Sequence, residues 1–292
     1  MMEFQCRFRN SAAAAPIRAA GLLLMLTGLS APALASGASP WSAAPGAAIR
    51  LLAGTARPAD AGDSGLAGLE IRLDQGWKTY WRNPGDSGVP PVFDWSKSQN
   101  LASVTVLWPA PTRLDDEGGA SAVYKGDVVL PLRVAATDAS KPVVLHLTLA
   151  YGICHDICVP AKGEASLTFD PASPQTDGAA AVAEAARQVP VPTAIGASSS
   201  PSIRQVRLDS AAKPPVLTID VATPRPSSLF VEGPADWYLP MPAPAPGADK
   251  ANPQSFVLPL EGLPSKAVLP GTPLRFTLST GEGGIESLYR LP

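Results

Sequence analysis

The chain is 292 residues long, 46% apolar and only 16% charged, with a formal net charge of −2. That balance lacks the concentrated positive charge that nucleic-acid binding requires. Its 33 prolines and 25 glycines, spread through both halves, exclude a helical bundle, since proline removes a donor and breaks a helix interior.

Arg7, Arg9 and Arg18 accompany the apolar run AAGLLLMLTGLS, and APALAS then supplies small residues at Ala33 and Ala35. This is the build of a cleavable export signal over residues 1–35, cut after Ala35 and directing the protein to the periplasm. The run is shorter than the roughly 20 apolar residues a spanning helix needs, and no later segment reaches that length, so the protein is not expected to span a membrane. Removing the signal takes away Cys6 and leaves Cys154 and Cys158, in a compartment where disulfides persist.

Short runs rich in β-branched and aromatic residues, separated by turns, predict strands at 48–54, 66–74, 103–109, 128–136, 143–151 and 164–170. The clearest is VVLHLTLAY, in which Val143, Leu145, Leu147, Leu149 and Tyr151 share one face and Val144, His146 and Thr148 the other. Period two over nine residues marks a strand buried on one side, and it runs directly into Cys154. Ahead of it, Trp77, Tyr80 and Trp81 form an aromatic cluster expected chiefly in the core, with Tyr80 and Trp81 the candidates to border the cysteines. Asn83-Pro84-Gly85-Asp86 reads as a turn.

Asp177 is placed to cap a short Ala-rich helix that ends near Gln188 and is stopped by Pro190 and Pro192. Strands are predicted again at 203–209, 216–221, 228–233, 255–262, 273–280 and 284–291. The expectation is an all-β protein of two β-sandwich domains, at 36–172 and 202–292, joined by a helical and Pro-rich linker at 173–201.

The stretch AYGICHDICVP holds both remaining cysteines and has three readings. As a staple it contributes little, because closing a loop of about five residues yields only ~2 kcal/mol against ~4.7 for a loop of 100. As a metal site, Cys154, His155 and Cys158 lack a fourth ligand, since the other histidine is His146 and nothing in the sequence places Met241 nearby. As a redox pair, strands ending near Ile153 and starting near Val159 leave His155-Asp156-Ile157 as a three-residue hairpin loop, with the cysteines opposed across the ladder. Opposed Cβ atoms lie about 4.5–5.5 Å apart, beyond the ~3.8 Å mean of disulfides, so strain and with it lability are expected. His155 favours a neighbouring thiolate and Asp156 opposes it. A hydrolase has little footing: no G-x-S-x-G elbow or cluster of metal ligands is present.

GWKTYWRNPGDSGVPPVFDW (76–95), WPAPTRLDDEGGASAVYKGDVVLPLRV (108–134) and LAYGICHDICVPAKGEASL (149–167) occur in an order and spacing that resemble the periplasmic N-terminal domain of the DsbD/ScsB thiol–disulfide interchange proteins, the ScsB-like branch above all. The likeness covers about residues 45–170; the second half resembles the additional sandwich of some ScsB-like proteins. The resemblance implies immunoglobulin-like sandwiches and exchanging thiols at Cys154 and Cys158; no cofactor and no metal are expected. It implies a cap loop over the pair at Leu114–Tyr124. Family members usually carry an aromatic residue in that cap; here the position reads Leu114, with Tyr124 at the far end. Asp115, Asp116 and Glu117 would set negative charge near the thiols, raising their pKa and slowing premature exchange.

The implied partners are thioredoxin-like periplasmic proteins and a membrane electron conveyor. Full-length family members carry that conveyor and a thioredoxin-like domain in one chain. Here no spanning segment or C-x-x-C follows, so the conveyor is expected on a separate chain. The rival expectation is a non-catalytic interaction or Cu(I)-handling module whose disulfide is structural.

Overall fold

The alternation in 143–151 is realised in the fold. Val143, Leu145, Leu147 and Leu149 are fully buried and Tyr151 nearly so, while Val144, His146 and Thr148 sit half-buried on the opposite face. Each aliphatic side chain buried this way contributes about 1.5–3 kcal/mol, which fixes the face the strand presents inward. The computed structural model describes residues 37–54, 64–116, 119–170, 178–223, 226–249 and 254–292; the expected export signal and its cleavage site lie outside them.

The N-terminal part is built from β1 (Ser42–Ala44), β2 (Ala47–Ala53), β3 (Ser64–Leu73), β4 (Lys78–Gly85), β5 (Val92–Asp94), β6 (Leu101–Val106), β7 (Thr112–Asp116), β8 (Gly119–Lys125), β9 (Val128–Ala136), β10 (Val143–Cys154) and β11 (Cys158–Phe169). One sheet runs β1-β2-β3-β9-β6; the other runs β11-β10-β4-β8-β7, with β5 also paired to β10. Between them lies a core that includes Ile49, Leu51, Leu69, Leu132, Leu147 and Trp81.

The chain continues through α1 (Ala179–Arg187), β12 (Val191–Pro192), β13 (Ser202–Asp209), β14 (Val216–Ala222), β15 (Ser228–Glu232), β16 (Ala243–Pro244), β17 (Ser255–Pro259), β18 (Pro273–Ser279) and β19 (Gly284–Arg290). These strands form two four-stranded sheets, β12-β19-β18-β15 and β13-β14-β17-β16. They enclose a second core around Ile219, Phe256, Leu258, Phe276 and Leu278. The fold is all-β, as expected, and the predicted strands appear close to their expected bounds. The largest differences are at β10, which extends to Cys154, at β6 and β17, which stop at Val106 and Pro259 instead of at 109 and 262, and at β11, which starts at Cys158 instead of at 164.

Two local expectations are corrected. The segment Leu114–Tyr124 is a β-hairpin, β7–β8, rather than a loop; its tip, 117–118, lies outside the described residues. Asn83, Pro84 and Gly85 belong to β4, whose register against β8 slips between Tyr80 and Gly85, so the proline stands where ladder pairing is interrupted.

The helix begins after Gly178, which adopts φ 84° without a side-chain cap; the expected cap, Asp177, lies outside the described residues. Val182 packs so tightly on Gly68 that a Cβ there would come within 2.7 Å of its Cγ2. β12 pairs in parallel with β19, so the connector is built into the sheets on both sides of it.

Phe230 joins the two parts. Its neighbours on β15, Leu229 and Val231, face the C-terminal core, whereas Phe230 lies in the N-terminal core, 5.7 Å from the Trp81 ring. Arg82 adds a fork to Glu232, at 2.9 and 2.6 Å, and a further bond to Glu286 at 2.7 Å. The described residues accordingly fall within one compact unit.

Candidate functional site

β10 and β11 pair without interruption from Val143↔Phe169 to Cys154↔Cys158, so the two cysteines face each other as the last rung of the ladder. His155, Asp156 and Ile157 close the hairpin, as the spacing predicted. The cysteines are joined as a disulfide with Cα atoms 4.1 Å apart. They differ in access: Cys154 is 1% exposed, whereas Cys158 is exposed. Successive strand residues point to opposite faces, and Ile153 takes the core side, so Cys154 is left on the outer face of its sheet.

On that outer face Cys154 clusters with Tyr80 and Val123, and Leu114 packs against them. The Tyr80 hydroxyl lies 2.8 Å from Cys154 Sγ and 3.1 Å from Cys158 Sγ. In the disulfide only the hydroxyl carries a hydrogen, so Tyr80 donates to the sulfurs. Burial first, and the charge of Asp116 second, push the Tyr80 pKa above its ordinary value.

The ring is seated by glycines. A Cβ on Gly88, at φ 125°, would lie 2.4 Å from the Tyr80 ring, and one on Gly152 would lie 3.2 Å from it. Lys78, opposite Cys154 on β4, reaches Asp116 of the β7–β8 hairpin at 3.2 Å.

The other sequence candidates fall in different places. Trp81 is fully buried in the N-terminal core, because it is the residue after Tyr80 on the same strand and faces the other way. Tyr124 is also a core residue, its hydroxyl donating to the Pro109 carbonyl at 2.8 Å, and burial holds its pKa well above the usual value. Asp115 pairs with Arg113 at 2.9 Å and not with the thiol cluster. Glu117 lies outside the described residues.

His155 Nδ1 sits 2.9 Å from Asp156 Oδ2, so the two loop residues are engaged with each other, and the imidazole also lies 5.9 Å from the Trp77 ring. Met241, raised as a distant copper ligand, is buried in the N-terminal core with its methyl against Gly85.

Three participants were not singled out in the sequence: Lys78, Val123 and the glycine pair Gly88 and Gly152. The signal for the first was available, since counting back by two from Tyr80 puts Lys78 on its face. The glycines carry no such signal, because their role is to leave room for a ring supplied by another strand.

The profile described as "Thiol:disulfide interchange protein DsbD, N-terminal" matches residues 50–170. Among solved structures, the N-terminal periplasmic domain of ScsB from Proteus mirabilis is similar over 87% of this chain and 98% of its own, with a TM-score of 0.64 and 22% identity, a likeness of fold. The YadV chaperone covers 83% of this chain and 99% of its own at 13% identity, but with a TM-score of 0.22. No curated protein matches the sequence. The stretch matched by that profile, 50–170, includes both the β7–β8 hairpin and the cysteine hairpin.

Proposed function

We propose that the protein is a periplasmic thiol–disulfide exchange protein that takes reducing equivalents from a membrane electron conveyor and passes them to thioredoxin-like partners. The observation that carries this reading is the asymmetric pair: one exposed cysteine, one buried cysteine, and a hydroxyl within hydrogen-bonding distance of both sulfurs. The match of residues 50–170 to the DsbD N-terminal profile supports the exchange chemistry.

In the dithiol form, Cys158 as thiolate attacks one sulfur of the partner's disulfide and expels the other as thiolate, giving a mixed disulfide. Cys154, as thiolate, then attacks Cys158 Sγ, closes the Cys154–Cys158 bridge and releases the partner's second sulfur. Two electrons have moved to the partner. Reduction by the conveyor runs the same steps backwards: its thiolate attacks Cys158 Sγ and Cys154 departs as a thiolate held by the Tyr80 hydroxyl.

Partners dock on the cysteine hairpin in this reading. Ile157 and Val159, 76% and 37% exposed, flank Cys158, and exposed Val89 lies against Gly152 beside them. Exposed apolar residues gathered at one place suit a transient protein contact. The two sheet pairs, each with its own core, support a division into sandwich domains at 36–172 and 202–292.

A redox titration with thiol trapping tests the proposal. A midpoint above about −300 mV is expected, whereas a pair that stays oxidised well below that value is a structural bridge and ends the proposal. The order of attack is tested by trapping: Cys154→Ser should accumulate a mixed disulfide through Cys158, and Cys158→Ser should not. Equal trapping by the two variants would refute the assignment of Cys158 as the attacking residue.

A further inference from the structure

β7 is the edge strand of its sheet, paired on one side only, with β8. A charged five-residue edge strand gains little from its own ladder, and whatever holds its free side decides how firmly it lies down. Its two faces have different neighbours. Leu114 faces the cysteines, packing against Tyr80, Val123 and Cys154, and Asp116 on the same face meets Lys78.

Arg113 and Asp115 face away from the cysteines. The Arg113 guanidinium donates through Nε to Asp115 at 2.9 Å and through Nη1 to the Pro242 carbonyl at 2.5 Å. Pro242 belongs to the C-terminal part of the chain, in the turn that also inserts Met241 against Gly85. Just before β7, the Ser279 hydroxyl donates to the Pro111 carbonyl at 2.8 Å, a buried tie between the same two parts of the chain.

We infer that Arg113 is a positioning residue: its bond to the Pro242 carbonyl anchors β7 to the C-terminal sheets and thereby holds Leu114 over Cys154. The C-terminal part of the molecule then has a role in the chemistry without touching a sulfur. It keeps the resolving cysteine covered until the cap hairpin lifts. The role in exchange rests on the function proposed above, while the positioning itself can be measured separately.

The test uses the full chain, fully reduced with a phosphine. Alkylation rates of Cys154 and Cys158 by iodoacetamide are read separately by peptide mass. Exposed Cys158 serves as the internal reference, and urea unfolding of each reduced variant gives its global stability. Arg113→Ala should raise the Cys154/Cys158 rate ratio about tenfold, the factor one charge-assisted hydrogen bond supplies when it shifts an opening equilibrium. Arg113→Lys, which retains a charged donor, should return the ratio to within about twofold of native.

An unchanged ratio in the alanine variant overturns the inference. So does a rise no larger than the measured loss of global stability accounts for, or a lysine variant as reactive as alanine. A redox midpoint far below about −300 mV would end the exchange proposal but leave this ratio fully readable, so the two can fail independently.

Discussion

Tyr80 is the residue on which the candidate chemistry turns, because its hydroxyl lies beside both sulfurs. A hydrogen bond to the charged form of an acid lowers its pKa, so the hydroxyl favours the thiolate over the thiol. Tyr80→Phe keeps the ring between its glycines and removes only the donor. The exchanging thiol's pKa should then rise by about one unit, as loss of a hydrogen bond to a charged group implies. Thiolate absorbance followed against pH measures it, and an unshifted titration would remove Tyr80 from the mechanism. The sequence named Tyr80 and Trp81 together as candidates. Only their order along a strand, one facing out and the next facing in, separates the residue that meets the cysteines from the one that fills the core.

At the scale of elements, the site is a meeting of two hairpins and a strand. β10–β11 supplies the cysteines, β7–β8 supplies Leu114 and Val123, and β4 supplies Tyr80 and Lys78. The first hairpin was legible because alternation over nine residues fixes a register, and the register sets Cys154 opposite Cys158. The second was not. TRLDD and GASAVYK carry no run of large apolar residues: the first is an edge strand, and the second buries alanine, serine and valine where neighbours approach closely. The loop after β4 shows the same reliance on small residues. Gly88→Ala would set a side chain at φ 125° and 2.4 Å from the Tyr80 ring. The backbone strain alone costs about 1–3 kcal/mol, and the ring must move away from the sulfurs. Lowered stability in urea together with slower exchange is the expected result. A variant as stable and as fast as native would show that the ring is not seated in this way.

For the whole molecule, the decisive side chain is Phe230, which leaves its own sheet pair to enter the other core beside Trp81, while Arg82 binds Glu232 and Glu286 around it. Phe230→Ala should cost about 3–5 kcal/mol, the usual price of truncating a buried phenylalanine. If Phe230 couples the two parts, the native protein should unfold in one transition and the variant in two. Calorimetry distinguishes this from a destabilised but still single transition, which would show that other contacts maintain the coupling. By itself the sequence determined the all-β class, most strand positions and the hairpin that opposes Cys154 to Cys158, because hydrophobic period and turn length are local and are written in consecutive residues. Only the tertiary structure decided that Tyr80 meets the sulfurs, that Leu114 packs against Cys154 and that Arg113 binds the Pro242 carbonyl. Those contacts join residues far apart in the chain, and they depend on which faces the sheets turn toward each other.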